Sequence, residues 1–321
     1  MIRHVREFFH DREYVEVETP ALQISPGMEP HVAGFSTRLL GEDRRDAGQM
    51  WLHTSPEFAM KKLLVAGMPR IFQLTRCFRN GEITRTHQPE FTMLEWYQTG
   101  LGWTGLMDET EAMIRTVADR MGHMRPSWQD QPCDLSQSFE RVSVADVLKR
   151  DAGINLDAIL EDVTAFHAEA NRLGILTHHD DSWDDIFFKV FLELCEPKLG
   201  QGRATILHSY PASMAALSRR QADDPRYAER FEVYICGMEL ANAFGELTDA
   251  EEQETRFKAE MALKARLYDE HWPVDQDFIA ALQHGMPQTS GIALGIDRLA
   301  MMLTGAEHIE QVCWLPVRTP A

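Results

Sequence analysis

Three arginines, Arg76, Arg79 and Arg85, fall within ten positions of one another in a chain of 321 residues that carries 32 Lys+Arg against 50 Asp+Glu, a formal net charge of −18. The loop around them begins Phe78-Arg79-Asn80-Gly81-Glu82 and ends His87-Gln88-Pro89-Glu90-Phe91. Arginine presents a planar fork of donors that matches phosphate oxygens, so one reading is a polyphosphate clamp; the other is a solvated hairpin tip. A second constellation, Glu239-Leu240-Ala241-Asn242-Ala243-Phe244-Gly245-Glu246-Leu247, sets two carboxylates seven residues apart, with an amide between them, in a small and apolar stretch. Charges among apolar neighbours are paired or bound to metal. A hard divalent cation such as Mg²⁺ takes oxygen ligands and bridges to substrate phosphates; pairing with buried arginines is the alternative. A third segment, Gly291 to Arg298, reads as a glycine-punctuated strand that puts Arg298 in the first turn of a helix. An arginine there is explained by an anion held jointly by the guanidinium and the helix N-terminus.

The elements that must position these residues follow from periodicity. Ile2, Val5, Phe8 and Phe9 recur at helical spacing over residues 2–13, and residues 14–19 alternate as a strand stopped by Pro20. Residues 41–50 are polar and read as a loop, 50–53 as a short strand, and 56–66 as a helix with Phe58, Leu63 and Leu64 inward. Residues 70–79 and 91–98 read as an antiparallel strand pair joined by the long arginine-bearing loop. A helix is expected over 105–121, a mainly helical insertion over about 143–200, strands at 205–210 and 230–235, an exposed charged helix over 249–270, and a helix from Asp297 to Leu303. Helices and strands mix without βαβ alternation, which predicts an α+β fold with a mostly antiparallel sheet flanked by helices, as a single domain over 1–321.

Composition bounds the function. With 44% hydrophobic residues the chain has ample material for a core. The charge is uneven: residues 1–100 hold 12 bases and 13 acids, whereas 146–196 hold 4 bases and 12 acids. Such a surface is ill suited to neutralising a long nucleic acid. The five cysteines are scattered, with no CxxC pair, as expected of reduced thiols in a cytoplasmic protein. No apolar run approaches the roughly 18–20 residues of a membrane span, and the N-terminus lacks a signal-peptide pattern.

Taken in order, these segments resemble the class II aminoacyl-tRNA synthetase catalytic core, and within it the lysyl branch. The carriers are the helix and strand ending at Pro20, the Phe78-Arg79 loop leading to Pro89-Glu90-Phe91-Thr92-Met93-Leu94-Glu95-Trp96-Tyr97, and the strand ending Asp297-Arg298. The first signature begins at Met1, so no anticodon-reading barrel is expected ahead of it. Glu232-Val233-Tyr234, Gly237 to Asn242, Tyr210-Pro211-Ala212-Ser213, and Ala293 in place of the glycine of tRNA-charging enzymes look like the subgroup that attaches (R)-β-lysine to a lysine of elongation factor P.

The resemblance implies an ATP-dependent ligase that forms an acyl-adenylate of β-lysine or lysine. Arg79 would hold the α-phosphate, Phe91 would stack on adenine, and Arg298 would clamp the distal phosphates, with Glu82 and His87 on the ATP loop. Glu239 and Glu246 would hold Mg²⁺. Glu57, Glu95 and Tyr97 would recognise the substrate amino groups, Asn242 would contact the amino acid or metal site, and Ala293 would shape the pocket. A homodimer through residues 1–20 is implied, with tRNA not expected as a partner. A truncated tRNA-charging enzyme and a non-catalytic amino-acid-binding paralogue are the alternatives. The sequence departs from the family at Gly81 and Glu82, where Phe-Arg-x-Glu would put the acid one place earlier, at Gln88 for asparagine, and at Ala243 for glycine.

Overall fold

The computed structural model describes residues 1–318. Helix α1 (Ile2–His10) buries Val5, Phe8 and Phe9, as its spacing requires. Of the strand expected over 14–19, only β1 (Val15–Glu16) pairs. The reading of 41–50 as a loop is corrected: β2 (Leu22–Gln23), β3 (Phe35–Leu40) and β4 (Asp46–Leu52) form a separate three-stranded sheet, with a tight turn only at 41–45. Most of β3 and the first residues of β4 are exposed, so they lack the apolar alternation that marks a half-buried strand.

The expected elements then follow with boundaries shifted by a residue or two. They are α2 (Glu57–Val65), β5 (Arg70–Phe78), β6 (Glu90–Thr99), and α3 (Trp103–Met121). A small hairpin of β7 (Ser127–Trp128) and β8 (Gln131–Pro132) leads to β9 (Glu140–Ser143). Helices α4 (Val144–Ala152), α5 (Val163–Arg172) and α6 (Trp183–Leu194) occupy most of the segment expected to be helical. Strands β10 (Thr205–His208), β11 (Arg230–Ile235) and β12 (Met238–Gly245) come next, then α7 (Ala250–Tyr268), α8 (Gln276–Gly285), β13 (Thr289–Gly295) and α9 (Ile296–Thr304). Helix α7 is not fully exposed as expected. It buries Gln253, Phe257, Met261 and Lys264 along one face, and the two polar members of that stripe hide it from a hydrophobicity pattern. Among the described residues, no helix is long and apolar enough to cross a membrane.

Eight strands form one sheet in the order β1-β5-β6-β13-β12-β11-β10-β9, antiparallel except at β1–β5 and β9–β10. The fold is therefore α+β. One sheet face carries Phe72, Leu94, Trp96, Ile292, Leu294, Ala243, Phe231 and Val233, and packs with α1, α3 and α9 into the main core. On the other face, side chains line up in rungs across the middle strands. Glu95 pairs with Ala293, Ala293 with Asn242, and Asn242 with Glu232. In the next rung, Tyr97 pairs with Gly291, Gly291 with Phe244, and Phe244 with Arg230. The period-2 geometry of strands explains why these residues share a face although they come from four separate segments.

Candidate active site

A cleft of about 380 Å³ opens over these rungs. Its walls include Glu57, Arg79, Glu82, His87, Phe91, Glu239, Asn242, Ala293 and Arg298, so nine of the twelve residues singled out in the sequence meet in one place. The other three, Glu95, Tyr97 and Glu246, are fully or almost fully buried and sit at the end where Ser55 and Glu57 form the wall.

The phosphate-like end is built by three elements. Arg79 follows β5, and its guanidinium stands 5.3 Å from the centre of the Phe91 ring. Asp297, the first acidic residue of α9, accepts a hydrogen bond from the Thr92 backbone N at 2.6 Å, which fastens the start of β6 to the helix carrying Arg298. Arg298 Nη1 donates to the Glu239 carbonyl at 2.8 Å, and Nη2 donates to His87 Nε2. Because Nε2 accepts, the ring proton lies on Nδ1, facing the Thr84 hydroxyl at 2.7 Å. Burial and the neighbouring charges of Arg298 and Arg79 hold His87 down at about 4, so the ring is neutral at pH 7. Of the arginine cluster read from the sequence, only Arg79 reaches the cleft. Arg76 is exposed beside Glu90 and Thr92, and Arg85 is also exposed. The guanidiniums that join Arg79 are Arg298 and Arg230.

The two carboxylates expected to share a metal are separated by the structure. Seven residues apart on a regular strand, Glu239 and Glu246 would face opposite sides. Val233 pairs with Ala241 and Tyr234 with Glu239, which leaves Leu240 as one extra residue and brings both carboxylates to the cleft face. They nonetheless join different groups. Glu246 is 1% exposed and lies 2.5 Å from the Lys61 ammonium, an ion contact without hydrogen-bond alignment. Glu239 instead neighbours Glu232, two residues before its cross-strand partner Tyr234. Burial in the cleft and the charge of Glu232 push the Glu239 carboxyl up to about 7. Since 38% of that side chain stays open, the repulsion from Glu232 is the part that persists in water. Glu232 is held by Arg230 at 2.7 Å, Tyr210 at 2.5 Å and Tyr234 at 2.6 Å, and Arg230 Nε also donates to Asn242 Oδ1 at 3.2 Å.

The buried end has a different chemistry. Glu95 accepts from Ser55 Oγ at 2.5 Å and from Tyr97 OH at 2.8 Å. Burial, then the nearby charge of Glu57, push its carboxyl up to about 8. Glu246 is likewise pushed up to about 7, first by burial and against the pull of Lys61. Lys61, on α2 one turn after Glu57, has no exposed side-chain surface and contacts both Glu57 and Glu246 at 2.5 Å. Gly291 makes the packing feasible: a methyl group there would stand 2.2 Å from the Tyr97 ring and 2.5 Å from Glu246 Oε1.

Lys61 and Arg230 were not singled out by sequence reasoning, and Glu232 entered it only as part of the Glu232-Val233-Tyr234 segment, with no role at the site. Two signals were present: Lys61 stands four residues after Glu57 on a helix, and Arg230 and Glu232 alternate with apolar residues on a strand otherwise headed for the core.

A family model described as tRNA synthetases class II (D, K and N) matches residues 1–319. An elongation factor P–(R)-β-lysine ligase from Hamiltonella defensa subsp. Acyrthosiphon pisum (strain 5AT) is 38% identical over 319 residues, which span 99% of this chain and 93% of that protein.

Proposed function

The chain belongs to the class II tRNA synthetase family of the D, K and N type, and from that premise we propose that it is an ATP-dependent ligase that activates (R)-β-lysine or lysine as an acyl-adenylate and passes it to a lysine of elongation factor P. The observation that carries this reading is the charge of the buried pocket. Three carboxylates, Glu57, Glu95 and Glu246, face one ammonium, Lys61, so full ionisation leaves two unmatched negative charges. A diamino acid brings two ammonium groups. Buried charge is tolerated only when it is paired, so the pocket favours a substrate with two positive charges over a neutral or singly charged side chain.

The chemistry needs no general base. The substrate carboxylate is already a nucleophile and attacks the α-phosphorus of ATP; the P–O bond to pyrophosphate breaks and pyrophosphate leaves. The protein supplies alignment and charge stabilisation. Arg79 would meet the charge growing on the α-phosphate, Phe91 would pack against the adenine, and Arg298 would hold the distal phosphates. Neutral His87 already lies against Arg298 and accepts from it, so it orients that guanidinium without adding charge. Glu239, with Glu232 beside it, fits a Mg²⁺: its carboxylate accepts no hydrogen bond among the described residues and has only the Arg298 guanidinium, 3.9 Å away, as an ion partner. Such an ion would offset negative charge on the phosphates. In the second step an acceptor amine forms a C–N bond to the acyl carbon, the C–O bond to AMP breaks, and the amine loses a proton.

Exchange of labelled pyrophosphate into ATP, run with (R)-β-lysine and with α-lysine, tests the first step. Transfer of labelled amino acid to elongation factor P or to tRNA tests the second. Exchange with either lysine followed by transfer to the protein is expected. Transfer to tRNA alone would refute the reading, and no exchange with any amino acid would point to a non-catalytic paralogue.

We also propose a cytoplasmic homodimer, on altered grounds. The apolar face of α1 is spent on the chain's own core and cannot be counted as interface. Beside α1, however, Met1, Ile2, Leu74 and Trp314 line a separate hollow, and Trp314 and Leu315 are 99% and 90% exposed. Light scattering of the protein and of Trp314→Ser, with a dimer expected for the first and dissociation for the second, tests this.

A further inference from the structure

Helix α6 has two apolar faces. One face, Ile186, Phe187, Val190 and Phe191, is buried among the helices between β9 and β10. The other carries Phe188 and Leu192, one turn apart, which are 45% and 51% exposed. The helix is fixed at its start by a full capping box, in which Ser182 and Asp185 satisfy each other's backbone N–H groups, so this second face is presented by a rigid element. It adjoins the cleft. Phe188 forms part of the cleft wall, and Glu196, just past the helix end, lies near enough to Glu232 and Arg298 to feel both charges.

The charge beside this face is mainly negative, with Arg256 near Glu260 and His31 near Asp184 as its positive neighbours. Asp184 is one turn before Phe188, and Glu260 on α7 feels the charges of both Asp184 and Glu29, which places the three carboxylates together at the edge of the cleft. None of the three has a hydrogen-bonding side-chain partner or an ion pair among the described residues. Elsewhere the chain pairs its surface acids freely, as at Arg38–Asp46, Arg141–Asp108 and Arg226–Asp224. A polyanion such as the acceptor arm of tRNA would meet repulsion on this side, whereas a protein segment bearing amines would be drawn in.

We propose that the Phe188–Leu192 face of α6, with Asp184, Glu260 and Glu29 beside it, is where the acceptor protein docks, the apolar pair gripping it and the carboxylates steering its lysine towards the cleft. This rests on the reading that the acceptor is a protein and goes beyond it by assigning the surface. Leu192 and Asp184 touch none of the groups placed in the adenylation site, so the two steps separate experimentally. Leu192→Ser and Asp184→Lys are each assayed for ATP–pyrophosphate exchange with (R)-β-lysine and for steady-state transfer to purified elongation factor P. Both variants should keep the exchange rate within about twofold, while KM for elongation factor P rises about tenfold, as loss of a central contact worth about 1.4 kcal/mol gives. An acceptor KM within about twofold of the parent in both variants overturns the proposal. So does a fall in exchange that matches the fall in transfer, since the helix would then only prop the cleft. Transfer by the parent protein to tRNA and not to elongation factor P is a different result, and it refutes the reading on which the proposal rests.

Discussion

The buried pocket makes amino-acid binding depend on pH through Glu95. Burial and the charge of Glu57 push this carboxyl up to about 8, and only its ionised form can neutralise a substrate ammonium. At pH 6.5 a group with that pKa is ionised in about 3% of molecules, and at pH 8.5 in about 75%. The affinity gained over that range is therefore about 25-fold, or about 1.9 kcal/mol. The sign follows from linkage. The folded pKa is raised, so free Glu95 contributes stability at low pH that is lost as pH rises through about 8, and substrate binding reverses that loss. KM for (R)-β-lysine in ATP–pyrophosphate exchange should fall by about this factor from pH 6.5 to 8.5, a range in which the substrate ε-amine, with a pKa near 10.4, stays charged. In Glu95→Gln the affinity should be low and the slope should fall to the roughly fourfold that Glu246, pushed up to about 7 in the same pocket, would leave. A KM constant within about threefold across the range, or an unchanged slope in Glu95→Gln, would show that Glu95 does not meet an ammonium.

Other perturbations probe the rest of the site. Lys61→Met leaves Glu57 and Glu246 buried without their shared cation; it should cost about 3–5 kcal/mol of stability, more at pH 8.5 than at pH 6 because acid lets the carboxylates protonate, and thermal melts across pH check this. Arg298→Ala should weaken ATP use at least tenfold, about 1.4 kcal/mol, with little change in lysine binding; equal losses in the two KM values would count against a phosphate role. Ala293 pairs across strands with both Glu95 and Asn242, so Ala293→Gly should change the room beside the pocket and raise exchange with α-lysine relative to β-lysine. An unchanged ratio of kcat/KM values would show that the methyl group does not discriminate.

The parts of the site that were legible in the sequence are those whose signal is local. Phe78-Arg79, Phe91 and Asp297-Arg298 sit where a strand ends or a helix begins, and the spacing of apolar residues locates such ends. The antiparallel partnership of β5 and β6 followed from the same pattern. What escaped was set by contacts distant in sequence. Lys61 and Glu246 are 185 positions apart and meet only in the folded chain. That Glu239 and Glu246 share the cleft face depends on a single unpaired residue, Leu240, that no periodicity reveals. The β3–β4 hairpin escaped because its exposed strands bury too little to alternate.

The extra residue at Leu240 gives the site something like a reading frame. Before it, one parity of β12 faces the cleft and supplies Glu239 to the phosphate end; after it, the opposite parity supplies Asn242 and Phe244, and Glu246 beyond them reaches the amine end. Pairing β12 as a regular strand, without this bulge, would leave every chemical group in the chain yet put the two ends out of phase, turning one set into the core. Replacing a side chain here weakens one contact, whereas a shift of one residue disconnects the activating half of the site from the half that selects what is activated.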